Sequence, residues 1–335
     1  MKKITIRDVA AEANVSLAVV SRVLNESGYV SDEARKSVLN AIRKTGYQPK
    51  HGAMRADRQR QRLVALISLN AEISIMYTQL VNRFAYTATR NDMSTVLFCT
   101  DRINNATLGK YIDQAVSHDV CGIVIAGYKE RRMSEELRIK LVEANKPVIF
   151  FERIAGCYGF NKILVDSYTG TVTATNYLIG KGHRHLLYIS RKGSPDYELR
   201  RKQGFLDAVQ AANRTDLIYS VEECRSNDKE AGYQAMKRGF EADPEISAVS
   251  CWSDVYAIGA MQYLYEKNIR VRDQVEVIGF DDILSNNVVP PISSIHMPVS
   301  EMCESAIGLL NEMGEDPADR PARTIMLEPK LIIRS

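Results

Sequence analysis

The 335-residue chain has no cysteine pair at C-x-x-C spacing; its six cysteines (Cys99, Cys121, Cys157, Cys224, Cys251 and Cys303) are scattered. Zinc frameworks and dithiol redox motifs are thereby excluded. Several thiols sit in apolar strand-like runs, such as Cys99 in TVLFCT and Cys251 in AVSCW, as buried free thiols in a reducing compartment do. The chain also lacks a run of ~18 apolar residues, so no membrane span is expected. Its start, MKKITIRDVAAE, has the charged beginning of an export leader, but Arg7, Asp8 and Glu12 interrupt the apolar stretch a leader needs. A cytoplasmic location is expected. There is no G-x-G-x-x-G after the first strand-like run, no G-x-x-x-x-G-K-[ST] and no G-x-S-x-G. Phosphate cradles and a serine nucleophile elbow are absent, and neither a cofactor nor catalysis is expected. His183 and His185 in KGHRH resemble a metal or catalytic pair, but no acidic or thiol cluster is near them in sequence. A structural or surface role is expected of them, and no metal.

What is present is unevenly charged. Residues 1–62 hold 13 Lys/Arg against 6 Asp/Glu, while the other 273 hold 31 against 35. A basic head on a mildly acidic body points to a polyanion met by the head alone. In that head, Thr5 and Asp8 form a capping box before Ile6, Val9, Ala10 and Ala13, which recur at helical spacing. Asn14 ends this helix, because Asn tolerates a positive φ better than most residues. Ser16 caps a second helix with Val19, Val20, Val23 and Leu24 inward; Ser31 caps a third, which Gly46 ends. Two short helices about a tight turn match the helix-turn-helix, though an ordinary small bundle fits the periodicity equally. The outward face of helix two distinguishes them: Leu17, Ala18, Ser21, Arg22 and Asn25 are side chains that fit a major groove.

The stretch ITIRDVAAEANVSLAVVSRVLNESGYVSDEARKSVLNAIRKTGYQP resembles the head of the LacI/GalR family of bacterial repressors. Two departures are Asn14 for the usual Gly and Val19 for the usual Thr. The resemblance implies that Leu17, Ala18 and Arg22 meet base edges, with Arg22 suited to guanine and the apolar pair to thymine methyls. It implies that Thr5, Ser16, Ser21, Asn25 and Tyr29 hold the sugar-phosphate backbone. Residues 50–62, KHGAMRADRQRQR, are either a solvated tether or, as in the family, a hinge helix that opens the minor groove. The family's Leu wedge falls on Ala56, and Met54 and Arg55 precede it. A methyl is a poor wedge, so either Met54 substitutes or the operator is bent less.

From residue 63, apolar β-rich runs alternate with amphipathic helices: LVALISL, TVLFCT, GIVIA, PVIFF, ILV, LLYIS, AVSCW and VEVIGF. This alternation predicts parallel sheets flanked by helices, split over two subdomains, with a ligand at strand C-terminal ends. The expected fold is a small all-α helix-turn-helix head plus an α/β core of two doubly wound parallel-sheet subdomains. The resemblance extends along the core (VDSYTGTVTATNYLIG, R-K-Q-G-F, VIGFDDI, LEPKLIIRS) and implies a sensor like the periplasmic sugar-binding proteins. The expected divisions are 1–49 for the head, 50–62 for the linker and 63–335 for the core. Within the core, about 63–160 plus 292–320 form one subdomain, and about 161–291 plus 321–335 the other.

By position in the resemblance, Arg201 and Asp254 are the main ligand-holding pair, an Arg fork and a carboxylate across a cleft. On the residues alone, the lesser readings are a surface salt-bridge residue for Arg201 and a helix cap for Asp254, which could serve as both cap and ligand. Met76, Tyr77, Glu152, Arg153, Asn227 and Met297 also fall at pocket positions. The implied effector is a sugar or sugar derivative, with a nucleoside, purine or sugar acid as alternatives. The implied partners are double-stranded DNA bearing a near-palindromic operator and a second copy of the chain in a homodimer. A solute-binding protein or an α/β enzyme on the same core fold stands as the other reading.

Overall fold

The computed structural model describes residues 4–24, 28–47, 62–69, 75–128, 130, 132–151, 157–192, 196–314 and 321–334, with the backbone alone at 196–198. Two compact units divide the chain, Met1–Arg62 and Leu63–Ser335.

The first unit is built from α1 (Ile6–Glu12), α2 (Leu17–Leu24) and α3 (Asp32–Thr45). Asn14 adopts φ 53°, Gly28 φ 69°, and Gly46 ends α3 at φ 67°, places where the chain turns left-handed. Ser16 Oγ accepts from Val19 N–H at 3.4 Å, and Ser31 Oγ from Ala34 N–H at 3.3 Å. The Thr5 N–H and hydroxyl both donate to Asp8 Oδ2 at 2.7 Å. Val9, Ala10, Val20, Val23, Leu24, Val38 and Ala41 bury against one another as the unit's core.

The second unit starts with β1 (Arg62–Leu69), α4 (Ile75–Thr89), β2 (Met93–Thr100), α5 (Asn105–Ser117), β3 (Gly122–Ala126), α6 (Glu135–Glu143), β4 (Val148–Phe150) and β5 (Asn161–Val165). It continues with α7 (Ser167–Gly180), β6 (His185–Arg191), α8 (Asp196–Ala211), β7 (Ile218–Cys224), α9 (Lys229–Ala242), β8 (Ala248–Cys251) and α10 (Asp254–Glu266). The chain then forms β9 (Glu276–Asp281), β10 (Ser293–His296), α11 (Val299–Met313), β11 (Thr324–Leu327) and β12 (Lys330–Ile332).

These strands form two sheets, ordered β2-β1-β3-β4-β5-β11 and β7-β6-β8-β9-β10-β12. In the first five places the two orders are the same, strand for strand. Pairing is parallel from β1 through β3, β4 and β5 to β11, and from β7 through β6, β8 and β9 to β10; β12 is antiparallel to β10. Inner strands such as β3 are buried throughout, which is why they read as unbroken apolar runs. Edge strand β2 is half open, and Cys99 on it is exposed rather than buried.

The lobes divide the chain differently from the sequence-based boundaries. β5 pairs with β4 (Phe150 opposite Lys162), so residues 161–165 belong to the first lobe. β10 pairs with β9 and lies in the second, while β11 pairs with β5 and returns to the first. A run of three to five apolar residues carries no record of which sheet edge receives it, so pairing could not be read from pattern. The chain passes between lobes three times, after Val165, after His296 and after Leu327. In the second lobe α9 and α10 touch backbone to backbone: a Cβ on Gly232 would lie 2.4 Å from the Tyr256 carbonyl oxygen. That close approach fixes the start of α10, where the chain enters the cavity described next.

Candidate DNA-reading face and ligand cavity

On α2 the apolar side faces the core, leaving Leu17 (45% exposed), Ala18 and Arg22 open and Ser21 half-buried on one face. The Arg22 stem lies along Gly28, whose added Cβ would sit 3.7 Å from Arg22 Cδ. Among the described residues Arg22 has no ion pair, which leaves its fork for an outside acceptor. Thr5, Ser16 and Tyr29 are exposed, Tyr29 at 90%. Asn25 and the hinge candidates Met54, Arg55 and Ala56 lie outside the described residues.

The second unit holds a cavity of about 140 Å³ lined from both lobes. It opens where β1 and β3, and likewise β6 and β8, send their connections to opposite sides, the switch points at which open sheets bind ligands. The first lobe supplies an apolar wall, chiefly Met76, Tyr77, Leu80, Ala126, Phe151 and Leu164. The second supplies Arg191, Arg200, Arg201, Asn227, Trp252, Asp254 and Asp281, and Met297 lines the cavity where the chain crosses back after β10.

Arg201 is buried on α8, not a surface residue. Its Nη1 donates to the Trp252 carbonyl at 2.5 Å and its Nη2 to Asp281 Oδ1 at 3.3 Å. Its Cζ lies 3.5 Å from the Phe280 ring centroid and 5.0 Å from that of Trp252, so the cation is sandwiched by aromatic faces. Burial pushes the Asp281 carboxyl up to about 7, with the Arg201 charge opposing and Asp254 adding to the rise. Asp281 sits at φ 99° and Asp282 at φ 59°, strained turns for non-glycine residues and frequent at functional sites.

Asp254 was expected to face Arg201 across the cleft. It lines the cavity, but from the same lobe, and its carboxylate turns inward. Oδ2 accepts from Ile283 N–H (2.8 Å) and Leu284 N–H (3.2 Å), and Oδ1 from the Ser294 hydroxyl (2.6 Å). Burial raises its pKa and these three donors oppose the rise. Gly279 makes room for it, since a Cβ there would fall 2.2 Å from Asp254 Oδ1. The cap of α10 is Ser253, whose Oγ accepts from Tyr256 N–H. Asp254 therefore ties the loop after β9 to α10, and the carboxylate that Arg201 meets is Asp281.

Met76, Tyr77, Asn227 and Met297 line the cavity; Glu152 and Arg153 lie outside the described residues. Sequence reasoning missed Arg191, Arg200, Trp252 and Asp281. Three of these stand at the C-terminal ends of recognised apolar runs (LLYIS, AVSCW, VIGF), so the residue closing each run was the available signal. Three buried polar atoms of cavity-lining side chains, Arg201 Nε, Trp252 Nε1 and Asn227 Oδ1, have no hydrogen-bond partner among the described residues. Far from the cavity, His185 is held by Asp243 (2.8 Å) and Glu245 (3.1 Å), acids that the fold brings in from the approach to β8.

A helix-turn-helix unit joined to a two-lobed α/β core, with its cavity at the strand ends, defines an effector-responsive DNA-binding regulator. Residues 5–50 match bacterial regulatory proteins of the lacI family, and residues 175–335 match the periplasmic binding protein-like domain. The HTH-type transcriptional repressor PurR of Histophilus somni is 28% identical over 339 residues, covering 98% of each chain. The probable HTH-type transcriptional repressor ExuR of Bacillus subtilis is 27% identical over 339 residues, covering 99% of this chain and 97% of that one. Among solved structures, the transcriptional regulator CelR–cellobiose complex superposes at TM-score 0.69 with 25% identity, over 99% of both chains. The Lac repressor bound to ONPG gives 0.76 at 21% identity, also over 99% of both, and speaks for the fold. Residues 5–50 thus carry the DNA-binding domain of the lacI family, and the chain is a DNA-binding transcription regulator.

Proposed function

We propose that this regulator is a cytoplasmic repressor of a carbohydrate-utilisation operon, working as a homodimer on a near-palindromic operator under control of a sugar or sugar derivative. The carrying observation is the cavity itself, where an apolar wall from one lobe meets a polar wall from the other, with Arg201 Nε and Trp252 Nε1 lacking acceptors among the described residues. Such a pairing suits a ring with a C–H face and hydroxyl edges. The cellobiose held by CelR supports the class.

In this reading Leu17, Ala18 and Arg22 read bases, while Thr5, Ser16, Ser21, Asn25 and Tyr29 fix register on phosphates and sugars. Residues 1–49 form the DNA-binding domain, and 50–62 with Met54, Arg55 and Ala56 the hinge. Arg201, Asp281 and Trp252 hold the effector's polar edge; Met76, Tyr77 and Met297 pack on its apolar face, and Glu152, Arg153 and Asn227 complete the rim. Ligand binding favours one arrangement of the lobes, and operator occupancy changes by the difference in its affinity for the two arrangements, typically ~1–3 kcal/mol.

The test is operator selection followed by ligand screening. Arg22→Ala is expected to lose ~1–3 kcal/mol of specific binding and to relax one base pair per half-site. An unchanged consensus would refute the assignment. A sugar that stabilises the wild type by RT ln(1 + [L]/Kd) should leave an Arg201→Gln variant unshifted; a surviving shift would place the effector elsewhere.

A further inference from the structure

We propose that Asp282 is a positioning residue for the effector response: it fixes Asp281 in the cavity wall and fastens that wall to the segments on which the chain crosses between lobes. This rests on the reading that the cavity holds an effector controlling operator binding.

Asp281 and Asp282 are consecutive, and both stand at positive φ, 99° and 59°. Non-glycine residues keep such conformations where their surroundings over-determine them. The two carboxylates have different partners. Asp281 Oδ1 accepts from Arg201 Nη2 at 3.3 Å, and Arg201 Nη1 donates to the Trp252 carbonyl, so the first carboxylate belongs to the cavity wall. Asp282 Oδ1 meets Arg334 Nη2 at 2.6 Å and also accepts the Ser285 hydroxyl. Its Oδ2 accepts from His296 Nδ1–H at 3.0 Å.

His296 and Arg334 belong to the crossings. His296 ends β10, from which the chain passes to the first lobe; opposite it stands Lys330, where β12 begins after the chain has returned. Arg334 follows β12, with Nε donating to Asn286 Oδ1 (2.6 Å) and Nη1 to the Ile292 carbonyl (2.9 Å). Met297, next after His296, lines the cavity, and its N–H donates to the Asp281 carbonyl at 3.4 Å. The start of α10 is tied in as well: Asp282 N–H donates to Ser294 Oγ (3.2 Å), and that hydroxyl donates to Asp254 Oδ1 (2.6 Å).

The side chains of Asp282 and Arg334 are only 9% and 12% exposed, so their charge-assisted bond is shielded from solvent and salt. A carboxylate held on both oxygens in this way moves with its partners. Coupling between sites travels through contiguous bonded networks of this kind. A ligand that displaces Arg201 therefore reaches His296 and Arg334 through two adjacent residues.

Trp252, the chain's single tryptophan, ends the series Arg334–Asp282–Asp281–Arg201–Trp252, so its emission reads the network without any ligand. Acrylamide quenching is measured on the ligand-free full-length protein, with circular dichroism confirming the fold of each variant. Asp282→Asn, in which Asn tolerates the positive φ, and Arg334→Gln should each change the quenching constant at least twofold, and Arg334→Lys less. Arg270→Gln, which breaks an exposed pair with Asp273 in the same lobe, should quench as wild type does. If Asp282→Asn fails to fold, Arg334→Gln decides; folded variants with wild-type quenching would overturn the proposal. The second readout uses cellobiose, D-glucose, D-galactose, D-galacturonate and hypoxanthine with the operator fragment selected on the wild type. At a saturating concentration of whichever compound alters wild-type operator affinity, Arg334→Gln should show a change at least threefold smaller. A full response at saturation would also overturn the proposal. Saturable binding of hypoxanthine alone, or of none of the five, would instead sink the carbohydrate reading, and the quenching result would still decide the role of Asp282.

Discussion

The two lobes of the core repeat one strand order and contribute opposite chemistry. The strand that ends at Phe150 and Phe151 in the first lobe corresponds in sheet position to the one that ends at Phe280 and Asp281 in the second. Likewise, β3 runs into Ala126 where β8 runs into Trp252 and Ser253. Topology thus decides where a ligand sits, at the strand C-termini, and leaves what it must be to the few residues that close each strand. A single apolar wall would hold any greasy solute, and a single charged wall would stay hydrated. Set against one another they demand a molecule with two unlike faces.

Removing the charge that organises the polar wall should produce the largest effect. Arg201→Ala leaves the half-buried Asp281 without its cation and empties the space between Phe280 and Trp252. A loss of ~3–5 kcal/mol in unfolding free energy is expected, together with loss of effector response. Adding Asp281→Leu should restore much of the stability and none of the response. Denaturant unfolding of the single and double variants measures this; equal stability of Arg201→Ala and wild type would mean that the pair organises nothing.

The apolar wall should break differently. Leu80, 1% exposed on α4, packs into the first lobe and also lines the cavity. Leu80→Ala should cost ~2–3 kcal/mol, the low end for such a truncation because space already adjoins it. Effector affinity should fall by less than in Arg201→Ala. If Leu80→Ala abolished binding while Arg201→Ala spared it, the division of labour between the walls would be reversed.

Asp281 gives the polar wall a pH dependence that the apolar one cannot have. Its carboxyl is raised from 3.8 to about 7, so the folded chain holds that proton more tightly than the unfolded chain does. The sign follows: this contribution to stability is fully present at low pH and is lost as pH climbs from about 4 through 7. Asp281→Asn, fixed in a neutral form, should therefore gain on the wild type across that window, by at most ~1.4 kcal/mol per pH unit. Urea unfolding of both proteins at a series of pH values checks it, and a constant difference would show that the carboxyl titrates as an ordinary surface acid.

Where the sequence was legible follows the same division between fold and site. Helix starts at Ser16 and Ser31, the turn at Asn14 and the end at Gly46 are local: the residue that acts is the residue one reads. Apolar runs likewise announced the buried strands. The strand β7, IYSVEEC, passed unnoticed because an edge position lets polar residues alternate through it. The lobe boundaries were misplaced because strand pairing is a long-range fact. At the site, Arg201 could be placed by resemblance. Its carboxylate partner could not, since Asp281 rather than Asp254 faces it only because the backbone turns to φ 99° after β9.

Positive φ offers the finest comparison, between the head and the core. Asn14 at φ 53° and Asp281 at φ 99° both occupy a region that L-residues enter at a cost. At Asn14 the side chain is exposed and ends a helix, so the cost serves only the turn. At Asp281 the side chain contacts Arg201, so the same kind of cost positions chemistry. Glycine relieves the strain at either place. Asn14→Gly should raise the thermal stability of the head by no more than about 1 kcal/mol, with operator affinity unchanged, because nothing but the turn depended on it. Calorimetry of residues 1–62, alongside operator titration of the full chain, would detect the shift. A stability loss, or weakened operator binding at constant stability, would show that the Asn14 side chain does more than turn the chain.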